Sequence, residues 1–153
     1  MKTIYTTIGA SNHSDTIREE YDFYATFPEA IDRLFEVETF SDTIWEPACG
    51  MGHLSERMIK LGKTVYSTDL INRGYGTGGI DFLKATENTH GDIITNPPYK
   101  IALEFIEKAL NISGEGTKIA MFLKLTFLEG KKRKPFFQTN PPLKIHIFSS
   151  RAV

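Results

Sequence analysis

Apolar residues recur along this chain at two spacings, and the two alternate. Ala30, Ile31, Leu34, Phe35 and Val37 fall at helical intervals behind Pro28 and Glu29, which suit a first turn, so the pattern predicts a helix from Pro28 to about Phe40. Thr43-Ile44-Trp45 is a short run of strand type. Leu54 to Leu61 places apolar residues at i, i+4, i+5 and i+7 and stops at Gly62, which predicts a second helix. Residues 63–70 alternate well enough for a strand ending at Asp69, and Asp92 to Thr95 reads as a buried strand. Ile101 to Ile112 is helical, with Ala102, Phe105, Ile106, Ala109 and Leu110 on one face. Residues 118–125 (KIAMFLKL) form the most apolar strand, Thr126 to Thr139 a helix interrupted at Gly130 and Pro135, and Lys144 to Phe148 a last strand. Ile80 to Leu83 suits a short strand or a turn.

Helices that alternate with short apolar strands predict an α/β fold: a mostly parallel sheet in a three-layer α/β/α arrangement. Such sheets bind ligands outside the carboxyl ends of their strands. The punctuation of this chain concentrates there. Glu46-Pro47, Thr68-Asp69 and Asn96-Pro97-Pro98 each follow a predicted strand, and four glycines between Gly74 and Gly79 require a loop after the second. Residues 1–20 show no sustained period and read as a flexible lead segment.

With 153 residues the chain suits one domain spanning 1–153 without a separate recognition domain, and no apolar run approaches the length of a membrane helix. Cys49 is the only cysteine and the N-terminus lacks a secretory pattern, which points to a reducing cytoplasm. The net charge of −1 hides an asymmetry. Residues 1–100 carry 9 Lys and Arg against 15 Asp and Glu, and residues 101–153 carry 9 against 4. A basic last third suits phosphate partners, although charge also drifts in sign along many enzyme surfaces. Its densest part, Lys131 to Lys134 beside Phe136 and Phe137, suits either a nucleic-acid backbone or a solvated helix end over two core phenylalanines.

Candidate chemistry follows the strand ends. A glycine turn between strand and helix, here around Gly50 and Gly52, lets backbone approach a ligand and offers N–H groups to an anion. The run lacks the third glycine of a dinucleotide fingerprint, so a carboxylate suits it as well as a phosphate. Asp69, 23 residues beyond Glu46, stands where an acid can accept both hydroxyls of a ribose. Asn96-Pro97-Pro98-Tyr99 is more specific. Two prolines fix the backbone, the Asn96 carboxamide and the Pro97 carbonyl supply two acceptors for an exocyclic amine, and Tyr99 offers a face for a planar base. A plain Asn-Pro turn over a packed aromatic is the alternative. Cys49 reads as a packing residue, His53 as a first-turn helix residue, and four scattered histidines suggest no metal site.

These strings resemble the S-adenosylmethionine-dependent amino-methyltransferases, most closely DNA adenine-N6 methyltransferases of phage and prophage type. DFYATFP at 22–28 resembles motif X, EPACGMG at 46–52 motif I, Asp69 motif II, IDFL at 80–83 motif III and NPPY at 96–99 motif IV, so the resemblance runs over essentially the whole chain. NPPY is shared with relatives that methylate protein glutamine or RNA guanine, and the motif X string ahead of motif I favours DNA. The resemblance implies a Rossmann-like fold, S-adenosyl-L-methionine as cofactor and DNA with a flipped adenine as partner. It also implies that Tyr24, Ala25 and Thr26 border the methionine end and that Glu46, Pro47, Gly50 and Gly52 hold the amino-acid part. Asp69 with Leu70 would take the ribose, Asp81 with Phe82 the adenine, and Asn96, Pro97, Pro98 and Tyr99 the target amine. Methyltransferases of this fold ordinarily have seven strands, whereas six are counted here, so the expectation is a sheet without its last strand and with an exposed edge.

Overall fold

The start of β3 (Asp92–Thr95) is where the sheet is tied together, because a buried carboxylate there accepts from both sides. Asp92 Oδ2 accepts from the Ser41 backbone N–H at 2.7 Å and Oδ1 from that of Lys118 at 2.8 Å. The computed structural model describes residues 26–149. Within them β1 (Thr43–Glu46), β2 (Thr64–Ser67), β3 and β4 (Ile119–Met121) form one parallel sheet in the order β2-β1-β3-β4. Thr43 pairs with Thr64, Ile44 with Asp92 and Ile93 with Ile119.

Alternation along the central strands sends successive side chains to opposite faces. Ile44 and Ile94 join Ile31 and Leu34 of α1 (Glu29–Val37) and Leu54 and Met58 of α2 (His53–Lys60) on one face. Trp45 and Ile93 join Phe105, Ala109 and Ile112 of α3 (Ala102–Ile112), with Phe82, on the other. The three-layer α/β/α prediction is borne out. Between β1 and β3 the direction of strand succession reverses, which makes their carboxyl ends the switch point of the sheet.

Several elements depart from expectation. The first helix ends at Val37 because Glu38 turns extended and draws in two lysines and a histidine: Lys144 at 2.6 Å, His146 at 3.1 Å and Lys118 at 3.7 Å. Those anchors also account for Lys144 to Phe148, which is irregular and not a strand; Ile145 and Ile147 on the alternate positions stay exposed. β2 stops at Ser67, two residues before Asp69, and Thr68 bridges to Thr77 instead. Ile80 to Leu83 resolves as a turn, a 3-10 turn over Phe82–Lys84 with the Asp81 carboxylate accepting from Leu83 N at 3.0 Å. On α3 the inward face holds Ile112 and not Leu110, which is exposed. β4 is only three residues and half-buried. The segment 126–139 is a 3-10 turn (Leu125–Leu128) followed by the short helix α4 (Lys134–Thr139), and Pro135 opens that helix and does not break it.

Candidate active site

The turn after β1 takes backbone angles that favour glycine. Gly50 and Gly52 take φ of 55° and 86°, the left-handed region, so the chain reverses between β1 and α2 within a few residues. Cys49 N donates to Thr68 O at 2.9 Å, and Gly50 N donates to Asp69 Oδ2 at 2.8 Å. The other Asp69 oxygen accepts from Ile71 N, also at 2.8 Å. The acid two residues past β2 therefore spans both turns.

The glycine-rich loop folds back across this turn. Asp69 N donates to Thr77 O at 3.0 Å and Thr77 N to Ser67 O at 2.9 Å. Tyr75 lands on Gly52, where an added Cβ would lie 2.5 Å from ring atoms, and its hydroxyl donates to Glu56 at 2.7 Å. Burial, with Glu56 adding to it, pushes the Tyr75 phenol up to about 12. This ring thus fills the space that a side chain at position 52 would need, and nothing in the local pattern signals it.

Glu46 closes β1 with 1% of its surface exposed. Its carboxylate accepts from the Ser55 hydroxyl of α2, and Ser55 Oγ lies 2.6 Å from Ser67 Oγ of β2. Burial outweighs those hydrogen bonds and pushes its pKa up to about 8, so the carboxyl holds its proton at neutral pH. Asn96 closes β3. Its Nδ2 donates to Thr26 Oγ1 at 2.6 Å, a contact across 70 residues that orients the carboxamide. Pro97 is buried, and Pro98 is extended ahead of the 3-10 turn over Tyr99–Ile101.

A cavity of about 260 Å³ opens at these strand ends. Of the residues singled out from sequence it is lined by Thr26, Glu46, Pro47, Asp69, Leu70, Asp81, Phe82, Asn96, Pro97 and Pro98. Phe82 also belongs to the core, edge-on to Trp45 at 5.1 Å and against Phe105 at 5.0 Å. No family model matches the chain, and no curated protein matches its sequence. The chain is similar to the crystal structure of PH1948 from Pyrococcus horikoshii, provisionally assigned as an RNA methyltransferase, with a TM-score of 0.52 and 16% identity. The match covers 73% of this chain and 65% of that one, so the chain spans somewhat less than two thirds of that protein. The fold is a Rossmann-like α/β fold.

Three sequence-derived site residues stand apart from the cavity wall. Gly50 and Gly52 face protein partners, Asp69 and Tyr75. Tyr99 lies outside the lining, half-buried, with the Lys124 ammonium 4.7 Å from its ring centre. Tyr24 and Ala25 fall outside the described residues, as does the lead segment 1–20. The cavity adds residues that sequence reasoning missed, chiefly Ile71, Arg73, Lys100 and Phe105, and His53 joins it as the first residue of α2. Cys49 lines it too, but burial, with Glu46 and Asp69 nearby, pushes its thiol up to about 12, which removes it as a nucleophile. Among the described residues no group of three His, Cys, Asp or Glu could hold a metal, and no helix is long and apolar enough to cross a membrane.

Proposed function

We propose that the protein is an S-adenosylmethionine-dependent amino-methyltransferase whose substrate is the exocyclic amine of adenine in DNA. One observation carries the reading: the Asn96-Pro97-Pro98 turn lines the same cavity as Glu46, Asp69 and Asp81. The donor set fits the cofactor, since the buried Glu46 carboxyl can accept from an ammonium and give up its proton as that charge arrives, an acid already held by two N–H groups keeps lone pairs for a diol, and Leu70 and Phe82 provide apolar walls for a purine. Glu46 and Pro47 would hold the amino-acid end, Asp69 and Leu70 the ribose, and Asp81 with Phe82 the adenine. Gly50 acts through Asp69, by fixing its carboxylate.

Bound S-adenosylmethionine supplies an electrophilic methyl group on a sulfonium sulfur. The work of the chain is to present a nucleophile. Asn96 Oδ1 and the Pro97 carbonyl accept the two N–H groups of the amine, which favours a pyramidal nitrogen whose lone pair points into the cleft. Thr26 holds the carboxamide in that orientation through Nδ2. Tyr99 offers its ring to the base, a stacking contact of about 1–3 kcal/mol, comparable to the cost of taking a base out of a duplex. As the nitrogen bonds the methyl carbon, the bond from that carbon to the sulfonium sulfur would break, its electron pair leaving with sulfur as a neutral thioether, and the methylated nitrogen would lose one proton to solvent.

Labelled cofactor and unmethylated DNA should give N6-methyladenine. Asn96→Ala should abolish transfer, by more than about 100-fold, while cofactor affinity changes less than about twofold. Equal losses in both would mean that Asn96 holds cofactor and not the amine. The RNA reading draws on the assignment of the P. horikoshii protein, so the assay panel includes RNA and a glutamine peptide.

A further inference from the structure

Residues 124–134 hold five Lys and Arg against one acid, Glu129, but these cations are not alike. Arg133 is turned inward. Its Nε donates to Phe127 O at 2.6 Å, its Nη2 donates to Thr126 O at 3.3 Å and to Glu129 O, and its guanidinium lies 4.8 Å from the Phe127 ring centre. Phe137 of α4 meets Phe127 edge-on at 6.0 Å. Arg133 and this ring pair fasten the Leu125–Leu128 turn to α4 as one unit. The neighbouring lysines do the opposite. Lys131, Lys132 and Lys134 are exposed, and among the described residues no carboxylate pairs with them. Lys131 and Lys134 border a shallow groove with Leu128 and Phe137.

The same unit begins at the proposed site. Lys124 immediately precedes the turn, and its ammonium covers the ring of Tyr99, three residues beyond Asn96. Lys131, Lys132 and Lys134, held close by folding and paired with no carboxylate among the described residues, repel one another until a polyanion neutralises them. A peptide glutamine would bring one neutral amide and no repeating charge. A phosphate backbone would bring one negative charge per nucleotide.

We propose that Lys124, Lys131, Lys132 and Lys134 form a track for the phosphate backbone of a polynucleotide, with Lys124 exchanging the Tyr99 ring for a phosphate when a base takes its place. The track rests on the proposed function for what happens to the base, and it stands or falls separately as a binding surface.

The full chain is titrated with a fluorescent DNA duplex and, separately, with a glutamine peptide between 50 and 200 mM salt. Three phosphate contacts at a slope of ~0.9 each mean that wild type should lose about 40-fold more affinity across that range than K131Q/K132Q/K134Q does. R33Q/K60Q/K144Q removes the same charge elsewhere and should keep the wild-type slope. K124Q should flatten the slope by about one contact and raise KM for DNA while cofactor affinity holds. A triple variant with the wild-type slope, a control that flattens as much, or peptide binding equal to that of DNA would overturn the track. Duplex binding with the expected slopes but no methyl transfer would sink the proposed function and leave the track standing; transfer to DNA with unaltered slopes would do the reverse.

Discussion

Gly52→Ala should destabilise the protein by about 2–5 kcal/mol, and a substitution 23 residues away should remove most of the excess. Two costs add. Gly52 sits at φ 86°, ψ 13°, and an L-residue in that region loses about 1–2 kcal/mol. The added Cβ would also lie 2.5 Å from three ring atoms of Tyr75, and overpacking of this kind costs about 1–3 kcal/mol. Tyr75 cannot swing away freely, because its hydroxyl bonds Glu56 at 2.7 Å and its loop is pinned by the Thr68–Thr77 bridge. In a Tyr75→Ala background the ring is gone and only the backbone cost of about 1–2 kcal/mol should remain. Urea unfolding of wild type, the two single variants and the double variant measures the coupling directly. If Gly52→Ala costs the same with and without Tyr75, the ring is not what the glycine makes room for, and the account of this turn is wrong.

Glu46 makes stability depend on pH with a definite sign. Its folded pKa of about 8 lies above the ordinary 4.5, so the folded state keeps a proton that the unfolded chain has lost, and stability falls as pH rises through that window. Glu46→Gln should remove the fall; wild type should lose a few kcal/mol more than the variant between about pH 5 and 8.5 in denaturant titrations, and parallel curves would refute the assignment. Asp69→Asn keeps one acceptor but turns an NH₂ toward either Gly50 N or Ile71 N, so it should cost about 1–3 kcal/mol by urea unfolding and weaken cofactor binding more than about tenfold by calorimetry. Arg133→Lys cannot span the carbonyls of Thr126, Phe127 and Glu129 together, so hydrogen exchange in residues 125–139 should quicken while that of α2 and β1 does not.

The sequence alone determined, to within a few residues, where most strands and turns would fall between residues 26 and 100. Local chemistry suffices for that: Ile44, Ile93 and Ile94 sit in runs too apolar to be surface, glycines at 50, 52 and 62 mark reversals, and two prolines after Asn96 stop a strand. The cavity lining was largely legible for the same reason, since a parallel sheet brings its carboxyl ends together and the unusual residues of this chain stand there. Contacts between distant residues were not. Thr26 meeting Asn96, Tyr75 meeting Gly52, and Lys118, Lys144 and His146 converging on Glu38 leave no periodic trace, because periodicity reports which face a residue shows and not what arrives there. The segment from Lys144 to Phe148 shows the limit most clearly. Its alternation is that of a strand, but a strand exists only where another strand's backbone pairs with it, and here two of its side chains are held by Glu38 while its isoleucines face outward.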